Sequence, residues 1–165
     1  MIFSKSFGYA LRGILYIALV QEDEGRKVQV DEIAERLGLP RHFMGKILKG
    51  LVKDGLLQSV KGPYGGFALA PGTLSTSLFA LIELTDGLNT FQNCVLHLRA
   101  CNAVNPCPLH FQMETIKRNL HEVLLGTVVA DLLKKDKEQF IKSIATEEFG
   151  VALENLTIHE RNESS

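Results

Sequence analysis

The chain has 165 residues, 45% of them apolar, and a formal net charge of −1. That apolar fraction supports a folded core and excludes a disordered tail, and no run approaches the ~18 apolar residues that a membrane-spanning helix needs. The charge is unevenly placed: residues 1–72 hold ten Lys/Arg against seven Asp/Glu, a net +3, and the remainder holds eight against twelve, a net −4.

Phe7, Leu11, Ile14 and Ala18 recur at helical spacing behind Ser4, which predicts a first helix over residues 4–21 with Ser4 as its cap. Arg12 interrupts the apolar run and no small-residue cleavage pattern follows Val20, so this segment is not an export signal and the chain is read as cytoplasmic. A charged turn over 22–27 leads to a short apolar stretch, 28–30. Asp31 is placed as the cap of a second helix through Ile33, Ala34 and Leu37, stopped by Gly38. Pro40 suits the first turn of a third helix, which continues through Phe43, Met44, Ile47, Leu48 and Leu51 to Asp54. Two short strands follow, 56–60 and 66–70, around the turn Lys61-Gly62-Pro63-Tyr64-Gly65.

Helix, helix, helix, hairpin is the order of a winged helix-turn-helix. A further helix over 75–86 carries Leu78, Leu81 and Ile82, and residues 88–107 break every period while holding all three cysteines. A single long helix is then predicted over 108–135. Its apolar positions, Leu109, Met113, Ile116, Leu120, Val123, Thr127 and Ala130, alternate in 4/3 spacing, with Leu124 and Val128 as a second row. A seam of that length favours packing against a second copy, hence a homodimer. The fold class expected is mainly α with a small β-hairpin. It comprises a DNA-binding domain over 1–72, a sensor loop and dimerisation helices over 73–140, and a polar tail over 141–165 expected to fray.

The basic excess concentrates between residues 38 and 64, where Arg41, Lys46, Lys49, Lys53 and Lys61 face only Asp54. In a helix-turn-helix the second helix enters the major groove, N-terminal residues first. The candidate contacts are therefore Pro40, Arg41, His42, Phe43 and Lys46. Arg41 suits guanine or phosphate, and Phe43 suits thymine methyls. Lys49 and Lys53 lie further along, toward the phosphate backbone. At the wing, Lys61 is placed to reach the minor groove, and Tyr64 completes the set.

Cys94, Cys101 and Cys107 fall within fourteen residues, with His97 and His110 close by. In a reducing compartment a structural disulfide is disfavoured and ligand or redox chemistry favoured. Zinc accepts three sulfurs and a nitrogen, and an iron–sulfur cluster accepts thiolates with histidine as a substitute. The spacing lacks the paired C-x-x-C of common zinc knuckles, which favours a cluster.

Together these residues resemble the Rrf-type family of winged-helix transcription regulators, in its cluster-binding branch of IscR- and NsrR-like members. The resemblance spans residues 4–133 and rests on Ser4-Lys5, Tyr9-Ala10-Leu11, Ile33-Ala34-Glu35-Arg36 and the wing Lys61-Gly62-Pro63-Tyr64-Gly65-Gly66-Phe67. It implies a homodimer joined by the long helix, palindromic operator DNA, and a [2Fe-2S] or [4Fe-4S] cluster. Cys94, Cys101 and Cys107 match the three thiolate ligands and His110 the fourth, with His97 the weaker rival. Two departures stand out: six residues rather than five separate Cys94 from Cys101, and Gly45 stands where related recognition helices often carry an acidic residue.

The function expected is a transcription regulator, repressor or activator, that senses iron–sulfur status, redox or nitric oxide through its cluster. The alternative is a zinc- or thiol-based regulator of the same fold. An enzyme using Cys107 with His110 or His121 as nucleophile and base would leave the basic helix unexplained and has no oxyanion hole, so the chain is read as a non-enzyme.

Overall fold

The computed structural model describes residues 3–87, 89–98 and 100–134. The expected tail over 141–165 and Lys135 lie outside them. Helix α1 (Lys5–Glu24) starts at Ser4, whose hydroxyl accepts the Phe7 N–H at 3.1 Å, and stops at Gly25 in the left-handed region. Its buried residues do not keep to one stripe, because α1 packs against elements on several sides.

Helices α2 (Val30–Arg36) and α3 (Arg41–Lys53) follow, with Gly38 at φ 63° in the turn between them. Asp31 does not cap α2. Val28 exchanges backbone hydrogen bonds with Phe67 at 2.9 and 2.8 Å, which ends the extended stretch at Gln29 and lets the helix begin at Val30. Asp31 instead sits in the first turn, where a carboxylate complements the positive helix end, and pairs with Arg41. Ahead of α2, Arg26 grips Glu32 through both terminal nitrogens at 2.8 Å, and the Tyr16 hydroxyl donates to the same carboxylate. Arg26 chiefly holds the Glu32 carboxyl below its ordinary range, with Tyr16 assisting against desolvation. The stability from this bolt is therefore full above the ordinary carboxylate pKa and is lost as pH falls through the lowered folded value.

Strands β1 (Leu57–Val60) and β2 (Gly66–Leu69) pair antiparallel from Leu57↔Leu69 to Val60↔Gly66. A 3₁₀ turn, Thr73–Ser75, then delays α4 (Leu78–Asp86), which is capped by Ser77 rather than starting at 75. Thr73 is buried, and its hydroxyl donates to the Leu56 carbonyl at 2.6 Å, fastening this turn to the entry of β1. Thr73→Val keeps the shape and removes the bond. It should lower stability by about 1 kcal/mol in urea melts, and an unchanged midpoint would show the bond to be idle.

A short helix α5 (Asn89–Gln92) lies inside the stretch that shows no period. The single long helix expected over 108–135 is two helices, α6 (His110–Gly126) and α7 (Val129–Leu133). The break has a long-range cause. Thr127 and Val128 are extended, Val128 bridges Ser77, Leu78 N–H donates to Thr127 O at 2.9 Å, and Val129 N–H donates to Thr76 O at 3.0 Å. These bonds, with Val129 fully buried, outweigh continuation of the helix.

One core joins Ile14, Ile17, Ile33, Met44 and Leu48 to Leu81, Ile82, Leu124 and Val129. The apolar rows of α6 divide accordingly. Leu124 is buried and Leu120 packs on the core, whereas Phe111, Ile116, Val123 and Leu125 stay exposed. No helix among the described residues is long and apolar enough to cross a membrane.

Candidate metal centre and nucleic-acid interface

The cysteine segment is folded by successive turns rather than by regular structure. His97 N–H donates to Cys94 O at 2.9 Å, with His97 itself in the left-handed region at φ 56°. Asn102 then accepts the Val104 and Asn105 N–H groups on its side-chain oxygen, both at 2.9 Å. Cys107 O accepts the His110 N–H at 3.0 Å, which opens α6 with the imidazole beside the thiols.

The result gathers all three cysteines. Their Sγ atoms lie within 4.8 Å of one another, Cys94 and Cys107 are 3.8 Å apart, and Cys101 Sγ is 3.2 Å from His110 Nδ1. All three are half-buried and free. His110 is thus brought into the set, while His97 remains exposed and does not line the cavity. The cavity, about 240 Å³ and open on one side, is lined by Phe91, Met113 and Lys117 among others, and the Lys117 ammonium donates to Asn93 O, tying α6 to the end of α5.

Backbone amides at Leu98 and then Leu96, assisted by the neighbouring thiols, bring the Cys94 thiol down to about 7 against desolvation. Cys101 moves the other way: the Cys107 amide pulls it down but is outweighed by desolvation and by the Cys107 and Cys94 sulfurs. A thiol whose ionisation is eased in this way, next to two further sulfurs and an imidazole, is a donor set for a soft or borderline metal. The donors fit two descriptions. They form two close pairs, Cys94 with Cys107 and Cys101 with His110, as a two-iron cluster requires. They are also close enough for one tetrahedral ion, whose thiolates at zinc would stand about 3.8 Å apart.

On the winged helix, His42, Lys46, Lys49 and Lys53 recur at helical spacing on α3, all exposed, and Pro40 and Arg41 are exposed at its start. Arg41 is held by Asp31, a pair exposed on both sides and so worth ~0–1 kcal/mol, weak enough for a phosphate or base to displace. Phe43 differs from the rest. It is half-buried with its ring edge-on to Tyr9 at 5.6 Å, while Arg12 lies over the Tyr9 face. Phe43 is therefore engaged in seating α3 on α1.

The wing stands beside this helix. A groove lined by Lys49, Lys61, Gly62 and Phe67 runs between them, and Tyr64 at the tip is 94% exposed. Gln29 donates to Gly65 O at 2.8 Å and fixes the base of the wing. Sequence reading did not single out Gln29, Phe91 or Lys117. Lys117 was findable, since His110, Met113 or Glu114, and Lys117 share one helical face; Gln29 and Phe91 act through contacts distant in sequence.

A family model described as Rrf2, iron-dependent transcriptional regulator, matches residues 3–135. An Aquifex aeolicus protein named as a candidate HTH-type transcriptional regulator is 36% identical over 140 residues, covering 84% of this chain and 95% of that one. The regulator NsrR of Geobacillus kaustophilus is 28% identical over 127 residues, covering 76% and 85%. Among solved structures, T. potens IscR superposes with a TM-score of 0.63 at 26% identity, covering 82% of this chain and 88% of its own.

Proposed function

Because this chain belongs to the Rrf2 family of transcription regulators, we propose that it is a cytoplasmic, homodimeric DNA-binding regulator with a cysteine-ligated iron–sulfur cluster as its sensor of iron–sulfur status, redox or nitric oxide. The observation that carries this reading is the convergence of Cys94, Cys101, Cys107 and His110 on one cavity, in a chain that also carries a basic winged helix. When bound, the cluster supplies a redox-active centre. The chain's own residues do the rest: the three thiolates and His110 hold it, and Phe91 and Met113 screen it.

DNA binding falls to Pro40, Arg41, His42 and Lys46 for the bases, Lys49 and Lys53 for phosphates, and Lys61 and Tyr64 for the wing, with Phe43 supporting the helix. The exposed apolar residues of α6, Phe111, Ile116 and Val123, are the surface offered to a second copy, and two-fold symmetry of the dimer matches a palindromic operator.

A packed route joins the two sites. Phe91 lines the cysteine cavity, and its ring lies 5.4 Å from Phe79, 6.0 Å from His121 and 6.1 Å from Phe3. Phe3 meets Phe7 on α1, and Ser4 at the start of α1 is bonded through its N–H and hydroxyl to Asp86, the last residue of α4. Reordering of the cysteine segment would thereby reach α1 and, through Tyr9 and Phe43, the recognition helix.

Protein purified without oxygen tests the reading: it should be coloured, contain iron and sulfide, and bind promoter DNA differently when loaded and metal-free. Colourless protein with one zinc per chain would instead support the second reading, a zinc-based regulator, which the 4.8 Å spread of the sulfurs favours. For the DNA face, Lys49→Ala with Lys61→Ala should flatten the plot of log affinity against log salt by about 2 in slope. An unchanged slope would remove these lysines from the interface.

A further inference from the structure

We propose that the metal-free protein is itself a thiol switch, in which a hydroperoxide oxidises Cys94 and Cys107 to an intramolecular disulfide while Cys101 stays out of the bond. Two observations select this pair, and a third gives the oxidant access. Cys94 and Cys107 present their sulfurs to each other at 3.8 Å, close to sulfur–sulfur contact. Cys101, although within 4.8 Å of both sulfurs, is held against His110 Nδ1 at 3.2 Å. All three thiols are free and partly exposed, and they share a cavity open to a small oxidant.

The chemistry balances in two steps. One thiolate of the pair attacks the terminal peroxide oxygen, the O–O bond breaks, and a sulfenic acid forms with release of water or an alcohol. The other thiolate then attacks the sulfenic sulfur, the S–S bond forms, and hydroxide leaves as water. Two thiols are oxidised and one hydroperoxide is reduced.

The bond would tie the chain just after α5 to the chain just before α6, closing the segment that carries Cys101. It would also occupy two of the four metal donors, so the oxidised chain could not reload. That consequence rests on the metal-centre reading; the pairing rests on thiol geometry alone.

The experiment uses full-length reduced protein freed of metal by a chelator under nitrogen, then treated with hydrogen peroxide. The expected result is loss of two of the three titratable thiols, an intact mass lower by two hydrogens, and no covalent dimer on a non-reducing gel. Trypsin leaves Cys101 and Cys107 on one peptide, because Arg99 and Lys117 are the flanking cleavage sites, so variants decide the pairing. Cys101→Ser should still lose both remaining thiols at the parent rate. Cys107→Ser should form an intramolecular disulfide at least tenfold more slowly and accumulate sulfenic acid that dimedone traps. Circular dichroism of each reduced variant checks that it is folded. Equal rates in the two variants, a disulfide between chains, or retention of all three thiols would each overturn the proposal. Iron and zinc loading of the same reduced preparation is read separately. Protein that binds no metal yet closes Cys94–Cys107 defeats the metal reading alone, and protein that binds metal yet never forms the bond defeats the switch alone.

Discussion

If the proposed metal centre is formed, Cys107→Ala is expected to lower metal affinity at least about 100-fold, because losing a ligand should cost more than the 10–100-fold typical of losing a group that only orients one. Cys107 touches both halves of the cluster of side chains. Its sulfur faces Cys94 at 3.8 Å, and its carbonyl accepts the His110 N–H that starts α6. Removing the thiol leaves two sulfurs and an imidazole around an open coordination position; the backbone bond survives. The cysteine is half-buried, so the metal-free variant should melt close to the metal-free parent. The readout is iron, sulfide and zinc per chain after anaerobic purification. His110→Ala keeps all three thiolates and should weaken binding less than Cys107→Ala. Parent-level metal in Cys107→Ala would contradict the assignment of the site.

Gly65→Ala should strike the wing. A Cβ at this position would stand 2.0 Å from Val60 O and 2.8 Å from Lys61 C, and both are backbone atoms that no side-chain rotation can clear. Two residues on, Phe67 is held by paired backbone hydrogen bonds to Val28 at 2.9 and 2.8 Å, which resist a shift of the strand. The hairpin must therefore open at its turn, at a cost of ~1–3 kcal/mol by analogy with overpacked cores. Lys61 and Tyr64 would lose their place beside α3. DNA affinity is expected to fall more than tenfold in a mobility-shift or anisotropy titration, while metal content per chain stays at the parent level. Gly25→Ala, at a left-handed helix stop with open space around it, serves as the control for backbone strain away from the wing. Parent-like DNA binding by Gly65→Ala would mean that the wing is not needed.

These two sites were legible to different degrees in the chain. Local chemistry announces the winged helix: the 3–4 spacing of Met44, Leu48 and Leu51, the stop at Gly55, and the glycines of the wing each constrain backbone or burial within a few residues. The three cysteines, too, are conspicuous by composition. What lay beyond local reading is whatever depends on a partner far along the chain. Periodicity alone carries a helix through Thr127 and Val128, yet the backbone of Thr76 to Leu78 claims that stretch as a bridge and ends α6 there. Asp31 has the chemistry of a cap, but Phe67 pairs with Val28 and moves the helix start past it. The choice between His97 and His110 is different in kind: it is made within a few residues, by the Cys107–His110 turn that opens α6 and brings His110 to Cys101. Residue identity supplies the groups and the short-range geometry, whereas where α2 starts and where α6 ends follow from long-range pairing, whose energy appears only once both partners are in place.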